Sequence, residues 1–477
     1  MYEHQNAVPD VDHLSGAVVY ILRKCRPLTD RPDTDKSALC NCSLKKYQIS
    51  DTFYSYIEKT LDFEKLIWYN GEKLLVGDNM ILRPDYVNEI LKYIDTPLVK
   101  IVSGVRRCGK STILEMFRDE LLARGIAGDN IIVRRYSEME YDDMSAKDMY
   151  SDIKAAISGK GRCYLILDEV QEIKGWEKVL NDLLENADVD IYVTGSNSKL
   201  MSGEISTYLT GRYVSIPAYT LSLREYLDFK GKDVSAGKDM FDEYIKYGGF
   251  PVIAISSFEP KTAYQVVDGI YSSVITRDIS KRHKIRNKEL FDRVVKYIIE
   301  NVGKTFSANT IVRFLKSEKR ELSVETVYNY IKWLEEAFII YPCQRYDMQG
   351  KAVLKTFEKY YLSDISLKYS QMGFNSKMLS AMLENVVYLE MKRRGYEVFI
   401  GKNKDKEIDF IAKRREERIY VQVCVKIPED SDRETANLME IKDHYHKYVV
   451  CYDRLASGND NGVEIVNIID FLLREKW

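Results

Sequence analysis

LVKIVSGVRRCGKST, residues 98–112, is the stretch that decides the fold. A short apolar run (Leu98, Val99, Ile101, Val102) leads into Gly104, four further residues, and then Gly109, Lys110 and Ser111. This is the spacing GxxxxGK[ST] lying between a strand and a helix, and it predicts a phosphate-binding loop. Glycines let successive backbone N–H groups converge on phosphate oxygens, and the following helix adds the positive end of its dipole. Gly104, Val105, Arg106, Arg107, Cys108, Gly109, Lys110, Ser111 and Thr112 are therefore the expected ATP contacts. Lys110 is expected on the β- and γ-phosphates and Ser111 on Mg2+. Apolar residues at Ile113, Leu114, Met116, Phe117, Leu121 and Leu122 give the segment after the loop a helical face.

Outward from this loop, apolar strands alternate with helical stretches: 98–103, 130–135, 163–168, 190–195 and 212–216. The alternation predicts an α/β core over 80–228, a parallel sheet covered by helices, with ligands at the carboxyl ends of its strands. In CYLILDEVQEI, the run Tyr164–Leu167 reads as a strand buried on both faces that delivers Asp168 and Glu169 at its end. Asp168 is expected to share Mg2+ with Ser111, and Glu169 to orient and deprotonate the water that attacks the γ-phosphate. A plain acidic helix start is the bland alternative. The next strand ends at Thr194 and presents Ser196 and Asn197, which either read the γ-phosphate or cap a helix. Arg212, in LTGRY, either stabilises transition-state charge, within the chain or across a subunit contact, or is a surface arginine in a turn.

The chain has 477 residues, too many for one core at the usual domain size. A net charge of −2 means that any contact with nucleic acid must come from local patches. The eight cysteines (25, 40, 42, 108, 163, 343, 424, 451) are scattered, and Cys40 and Cys42 have no CxxC partner pair with which to hold a metal. With no secretory leader and no run of eighteen apolar residues, the expectation is a cytoplasmic protein with reduced thiols and no membrane partner. Residues 1–79 read as an extension that nucleotide binding does not need. Within it, 26–45 is a proline- and aspartate-rich loop or disordered linker, and 54–66 suits one amphipathic helix.

Taken together, SGVRRCGKST, YLILDEVQEI, VTGSNSKLMSGEISTYLTGRY, YGGFP (247–251), KYYLSDISL (359–367) and EIDFIA with YVQV (407–423) resemble a bacterial and archaeal ATPase family. In that family an AAA+ type P-loop domain is followed by a domain of unknown function, DUF4143. The resemblance covers residues 80–477. It implies a nucleotide-driven protein with a winged-helix segment and a C-terminal restriction-endonuclease-like, PD-(D/E)xK fold, and it implies no particular substrate.

In the second half, 229–300 reads as a helical lid and connector, and 277–288 (RDISKRHKIRNK) is its most basic stretch. That stretch suits either phosphate tracking along DNA or a solvated connector. Residues 301–362 suit a winged helix. Phe314 and Leu315 close one helix, Val324, Val327, Ile331 and Leu334 mark a second, and the segment carrying Arg345, Lys351 and Lys355 is the expected wing. The polar face of the second helix carries Glu325, Asn329 and Lys332, a poor reader of DNA, which favours a packing role. In 363–477, Asp409 and Glu384 match the carboxylates of the nuclease-like pattern, but Gln422 and Cys424 stand where a carboxylate and a lysine are needed, leaving Lys426 as a migrated lysine. Gln is a poor Mg2+ ligand and Cys a soft one, so an inactive fold is expected. The functional expectation is Mg2+-dependent ATP hydrolysis coupled to the C-terminal part, acting on DNA and in an assembly of like copies. Its alternatives are a nucleotide-gated binding switch for DNA or a protein, and an ATP-dependent nuclease.

Overall fold

The computed structural model describes residues 67–69, 72–74 and 81–477, apart from 199–208, 210, 306, 405, 428–432 and 454–456. The chain divides at Met80/Ile81 into two units. In the first, Ile67–Tyr69 (β1) pairs antiparallel with Glu72–Leu74 (β2). The loop at 26–45 and the helix at 54–66 fall outside the described residues.

In the second unit, the five apolar runs of the first half become Val99–Ser103 (β3), Ile131–Arg135 (β4), Cys163–Asp168 (β5), Val189–Gly195 (β6) and Tyr213–Pro217 (β7). All pair in parallel, in the order β4-β5-β6-β3-β7. The strands β3, β5 and β6 are buried at every residue, which is why they read as mostly apolar runs; Lys100 and Asp190, the charged residues inside β3 and β6, pair with each other. Val99, Ile101, Leu165, Leu167, Ile191 and Val193 share one core with Met149 and Ile153 of helix Ala146–Ile157 (α1) and Trp176, Leu180 and Leu183 of helix Trp176–Asn186 (α2). Ser145 starts α1 with a capping box, its hydroxyl accepting from the Asp148 N–H at 3.2 Å. Because β6 lies between β3 and β5, the residues after Thr194 emerge between the phosphate loop and Asp168.

A helical region follows: Leu223–Phe229 (α3), Gly237–Tyr247 (α4), Pro260–Ser273 (α5) continuing into a π-helical turn over Val274–Ser280, and Lys288–Glu300 (α6). Helices Ala308–Ser317 (α7) and Val324–Glu336 (α8) then form the expected helix pair. Ser307 and Ser323 cap them by accepting from the N–H groups of Thr310 and Thr326. Val327, Ile331 and Leu334 face the core as the spacing requires.

The expected wing is not a free-standing one. Ile340–Asp347 (β8) and Ala352–Leu362 (β9) form an antiparallel hairpin, and β8 also pairs in parallel with Glu397–Asn403 (β10). The hairpin is thus one edge of a sheet that continues through Lys406–Arg414 (β11), Glu417–Cys424 (β12), His446–Cys451 (β13) and Val463–Asn467 (β15) to Gly458–Asp460 (β14). Its order is β14-β15-β13-β12-β11-β10-β8-β9. A boundary at 362 would cut this sheet, and the physical reason is backbone pairing: the outward edge of β8 would otherwise be left with unpaired amides. Helix Leu379–Arg393 (α9) connects β9 to β10.

The motifs YGGFP and YLSDISL meet where the two sheets adjoin. The buried Asp364 carboxylate accepts from the N–H groups of Gly249 (2.8 Å) and Ser366 (2.9 Å), and the Thr220 hydroxyl donates to the Ser363 carbonyl at 3.0 Å. A joint made of buried backbone groups and a buried carboxylate has few alternative arrangements, since each broken bond leaves an unpaired polar group behind.

Candidate nucleotide site

The loop after β3 is shaped by two glycines. A Cβ on Gly104 would lie 2.0 Å from the Ala218 carbonyl oxygen, so the loop can pass that backbone only as glycine. Gly109, at φ +100°, turns the chain into helix Lys110–Ala123, whose Ile113, Leu114, Met116, Phe117 and Leu121 are buried while Leu122 is exposed. The loop is also propped from beneath. Arg83, buried, donates to the Cys108 carbonyl (2.8 Å), the Tyr219 carbonyl (3.0 Å) and both carboxylate oxygens of Glu225 (2.7 and 3.2 Å).

Lys110 is buried and donates to the carbonyls of Gly104 (3.0 Å) and Val105 (3.2 Å), with Glu169 3.9 Å from its ammonium. The Ser111 hydroxyl lies 3.0 and 2.9 Å from the two oxygens of Asp168. Thr194, at the end of β6, donates its hydroxyl to Asp168 and accepts the Glu169 N–H at 2.8 Å. Glu169 itself sits at φ +52°, which sets its side chain apart from that of Asp168. Burial opposes its ionisation, but the Lys110 ammonium, the Gln171 amide, Arg106 and Arg282 outweigh burial and hold its carboxyl below the usual range. Asp168 moves the other way: burial and the charge of Glu169 outweigh its hydrogen bonds from Thr194 and Ser111, and its pKa rises. Two neighbouring carboxyls are thereby given different proton affinities.

Of the other expected residues, Asn197 is buried just past β6, on the same edge of the sheet as the loop. Arg212 is not on that edge. Its backbone carbonyl accepts from Val99 at the start of β3, and its guanidinium donates to Asn181 (2.7 Å) and Glu185 (2.5 Å) of α2. Within one chain it therefore stands at the opposite ends of the strands from the phosphate loop. Arg107 is exposed, while Arg106 turns inward onto Asp278, with Nε 3.0 Å and Nη2 3.3 Å from its oxygens. The basic stretch 277–288 consequently begins inside this site, and its His283 stacks on Trp333 at 4.5 Å between centroids. Arg277, Lys281, Lys284, Arg286 and Lys288 remain exposed.

The C-terminal carboxylates also come together, though with a lysine that the sequence reading did not choose. Lys359, on β9, lies 2.9 Å from Glu407 and 3.6 Å from Glu384 of α9. Asp409 on β11 accepts the Val423 N–H at 2.8 Å, and Gln422 accepts the Asp409 N–H at 3.3 Å. Burial, with the neighbouring Glu384 charge, pushes the Asp409 pKa up to about 8. Lys426 lies beyond the end of β12 and is exposed. Cys108, Cys163, Cys343, Cys424 and Cys451 are free and buried, and Cys25, Cys40 and Cys42 lie outside the described residues. No described helix is long and apolar enough to cross a membrane.

Comparison with known proteins agrees with the phosphate-loop reading of the first half. Residues 96–227 match a family model described as an AAA domain. Residues 238–378 match a domain of unknown function, DUF8612, in place of the DUF4143 that the motifs suggested. Among solved structures, a Walker-type ATPase of Pyrococcus abyssi is 14% identical, with a TM-score of 0.45, over 61% of this chain and 95% of that one. An uncharacterised protein of Methanocaldococcus jannaschii is 28% identical over 87% of this chain and 93% of its own length. An uncharacterised protein of Haemophilus influenzae is 37% identical over 399 residues, 83% of this chain and 99% of the relative. The chain belongs to the family of that Haemophilus influenzae protein, and the nucleotide-binding part of the chain is an AAA-type ATPase domain.

Proposed function

We propose that the chain is a Mg2+-dependent ATPase whose nucleotide state is passed to the C-terminal sheet. The observation that carries this reading is the convergence of Ser111, Asp168, Glu169 and Lys110 at the carboxyl ends of β3 and β5. The hydroxyl and carboxylate of Ser111 and Asp168 are hard oxygen donors within 3.0 Å of each other, a pair that suits Mg2+. Bound there, the ion would polarise the phosphates and offset their charge. Lys110, which now spends its protons on two loop carbonyls, would turn them to the β- and γ-phosphates. Glu169, ionised at neutral pH, would accept a hydrogen bond from the attacking water and orient it, and Asn197 would hold the γ-phosphate side.

Arg83 ties the loop carbonyl of Cys108 to Glu225, and Arg393 of α9, 4.0 Å from Glu225, donates to the Thr220 carbonyl at 2.9 Å. This chain of contacts supports transmission from the loop to the C-terminal part, and it supports equally the second reading, a nucleotide-gated switch that captures DNA or a protein with little turnover. In our reading 80–228 is the ATPase core, 229–300 its lid, and 301–362 a winged-helix-like segment whose hairpin β8–β9 forms the edge of the sheet of 363–477, a nuclease-like fold that does not cut. Lys359 already supplies the counter-charge to Glu384, and Gln422 stands in the place of a carboxylate. DNA would meet the exposed lysines and arginines of 277–288. Arg212 would act only on a neighbouring copy, in the cytoplasm.

The test is phosphate release from purified protein with Mg-ATP, with and without duplex and single-stranded DNA. Release that rises with DNA supports the motor reading. ATP binding without release, and without a response to DNA, selects the switch.

A further inference from the structure

Two thiols meet at the carboxyl ends of β12 and β13. The strands run parallel, and Cys424 and Cys451, the last residue of each, are direct partners in the register. Both side chains belong to one core with Tyr420, Val449 and Leu438, the last from helix Arg433–Met439. The two thiols hydrogen-bond to each other, and the Cys451 thiol also reaches the Val425 carbonyl at 3.5 Å. The other described cysteines are placed differently. Cys108, Cys163 and Cys343 donate to the carbonyls of Ala218, Gly161 and Val398. Across their strands Cys163 faces Val189 and Cys343 faces Lys359, so neither has a thiol opposite it.

Neighbouring strands stand about 4.7–4.9 Å apart, inside the Cα separation of about 4.4–6.8 Å that a disulfide spans. Beyond the strand ends, the N–H groups of Tyr452 and Asp453 donate to the carbonyls of Cys424 and Val425, each at 3.0 Å, and keep the two sulfurs side by side. Bonding them must still draw the side chains together from the parallel spacing, and such strain makes a disulfide easy to reduce. The two sulfurs are unequal. The Cys424 thiol, with the N–H groups of Asp453 and Ile427, outweighs burial at Cys451 and lowers its pKa to about 7. The same hydrogen bond, with burial, pushes the Cys424 thiol up. Cys451 is therefore the better source of thiolate, the reactive form. Cys424 keeps 7% of its surface exposed, beside the exposed Val425 and Lys426, which gives a small oxidant a route to the pair.

We propose that Cys424 and Cys451 are a site of reversible oxidation, a dithiol that hydrogen peroxide converts to a disulfide clamping β12 to β13 beside helix α4. The assignment goes beyond the ATPase reading and does not depend on it. In the first step the Cys451 thiolate sulfur bonds to a peroxide oxygen, the O–O bond breaks, and the leaving hydroxide takes up a proton as water. Cys451 is then a sulfenic acid. In the second step the Cys424 sulfur bonds to the Cys451 sulfur, the S–O bond breaks, and the departing hydroxide leaves as water with the Cys424 proton. Two thiols lose two electrons and two protons, and one peroxide becomes two waters. The bond acts on a seam of the fold, because the next residue, Tyr452, donates its hydroxyl to Asp242 of α4 at 2.9 Å and lies 6.1 Å from the Phe241 ring. Helix α4 leads directly into Gly248 and Gly249, where Asp364 holds the joint of the two sheets.

The test treats reduced, full-length wild type with hydrogen peroxide, digests it without reductant and maps cross-links by mass spectrometry, with thermal unfolding as the fold control. A Cys424–Cys451 cross-link is expected in most molecules, and reduced glutathione should return both thiols. In Cys424→Ala the Cys451 sulfenic acid has no partner and dimedone should trap it, whereas Cys451→Ala should yield at least about tenfold less trapped product. Hydrogen exchange over 237–247 should slow at least about threefold when wild type is oxidised, and in neither variant. Both thiols surviving peroxide, oxidation to sulfinic acid without a cross-link, or a bond to Cys25, Cys40 or Cys42 each overturns the assignment. These readings come from wild type and stand even if a variant fails to fold. A cross-link that glutathione leaves intact is a structural disulfide and overturns reversibility, and unchanged exchange over 237–247 in cross-linked protein overturns the clamp.

Discussion

Two of the described clusters in which carboxylates meet a lysine are built to opposite ends. At the carboxyl edge of the parallel sheet, Lys110 is satisfied by two loop carbonyls, and Ser111 and Thr194 hold Asp168 through hydroxyls. These are neutral partners, which a phosphate or a cation can replace without leaving a charge unpaired. In the C-terminal sheet, Lys359 lies between Glu384 and Glu407, and Asp409 is pinned by a backbone amide. There the lysine is held by carboxylates of the chain itself. The lesson is that a site ready for a ligand keeps its charged groups on exchangeable neutral partners, whereas a structural cluster pairs its lysine with charged groups of its own chain.

The sharpest way to break the comparison is to remove one group from the first cluster. Lys110→Ala should abolish ATP binding, and Glu169→Gln should keep binding while phosphate release falls about 10^2- to 10^4-fold. Glu169→Gln should unfold near the wild-type midpoint, because Lys110 keeps its two loop carbonyls, and a thermal scan of Lys110→Ala confirms that its loss of binding is not a loss of fold. A Glu169→Gln protein that releases phosphate at the wild-type rate would remove Glu169 from the chemistry.

The same deletion in the second cluster should cost stability and spare turnover. Lys359→Met leaves the largely buried Glu384 without its ammonium, while Glu407 is partly exposed and screened, so a loss of up to about 3 kcal/mol is expected, read from urea unfolding at neutral pH. A variant as stable as wild type would mean that Lys359 is not a structural counter-charge, and that the cluster is a site in its own right.

How far the two clusters were legible in the sequence follows the distance between their members. The phosphate loop and the Asp168–Glu169 pair were readable because each is a local pattern on one strand end. The strands β3, β5 and β6 were readable because burial on both faces leaves mostly apolar runs. The partners of Arg83 and Arg106 were not, since Glu225 and Asp278 lie 142 and 172 residues away. Lys359 was missed for a related reason. The nuclease-like pattern directs attention to β12, whereas the lysine comes from β9, on the far side of β11, β10 and β8 in the sheet. A signal did exist for Asp278: it is the lone acid in the most basic stretch of the chain, and a lone acid there needs a reason.

A smaller effect concerns protons. The Asp409 pKa, pushed up to about 8 by burial and by Glu384, lies above its unfolded value, so the folded state binds the extra proton between about pH 4 and pH 8. Stability should then fall as pH rises through that window and level off above it, by a few kcal/mol at most. Asp409→Asn cannot lose a proton and should flatten this slope, so that the variant gains on wild type at pH 8 relative to pH 5 in urea unfolding. Parallel pH profiles for the two proteins would place the titrating group elsewhere.

The smallest expected effect tests the arginine that the first cluster leaves out. Arg212 is partly exposed and pairs with Glu185 across to α2, so Arg212→Ala should cost under about 1 kcal/mol of stability. A dilute single copy should release phosphate at an unchanged rate. At high protein concentration the outcome divides. If copies assemble so that Arg212 of one faces the nucleotide of the next, wild type should speed up with concentration and Arg212→Ala should not. Mixing Arg212→Ala with Glu169→Gln then discriminates further: the first supplies an intact site and the second an intact arginine, so activity should return in the mixture. A rate independent of concentration in both proteins leaves Arg212 as a surface ion pair at the amino edge of the sheet, with charge stabilisation supplied from within each chain.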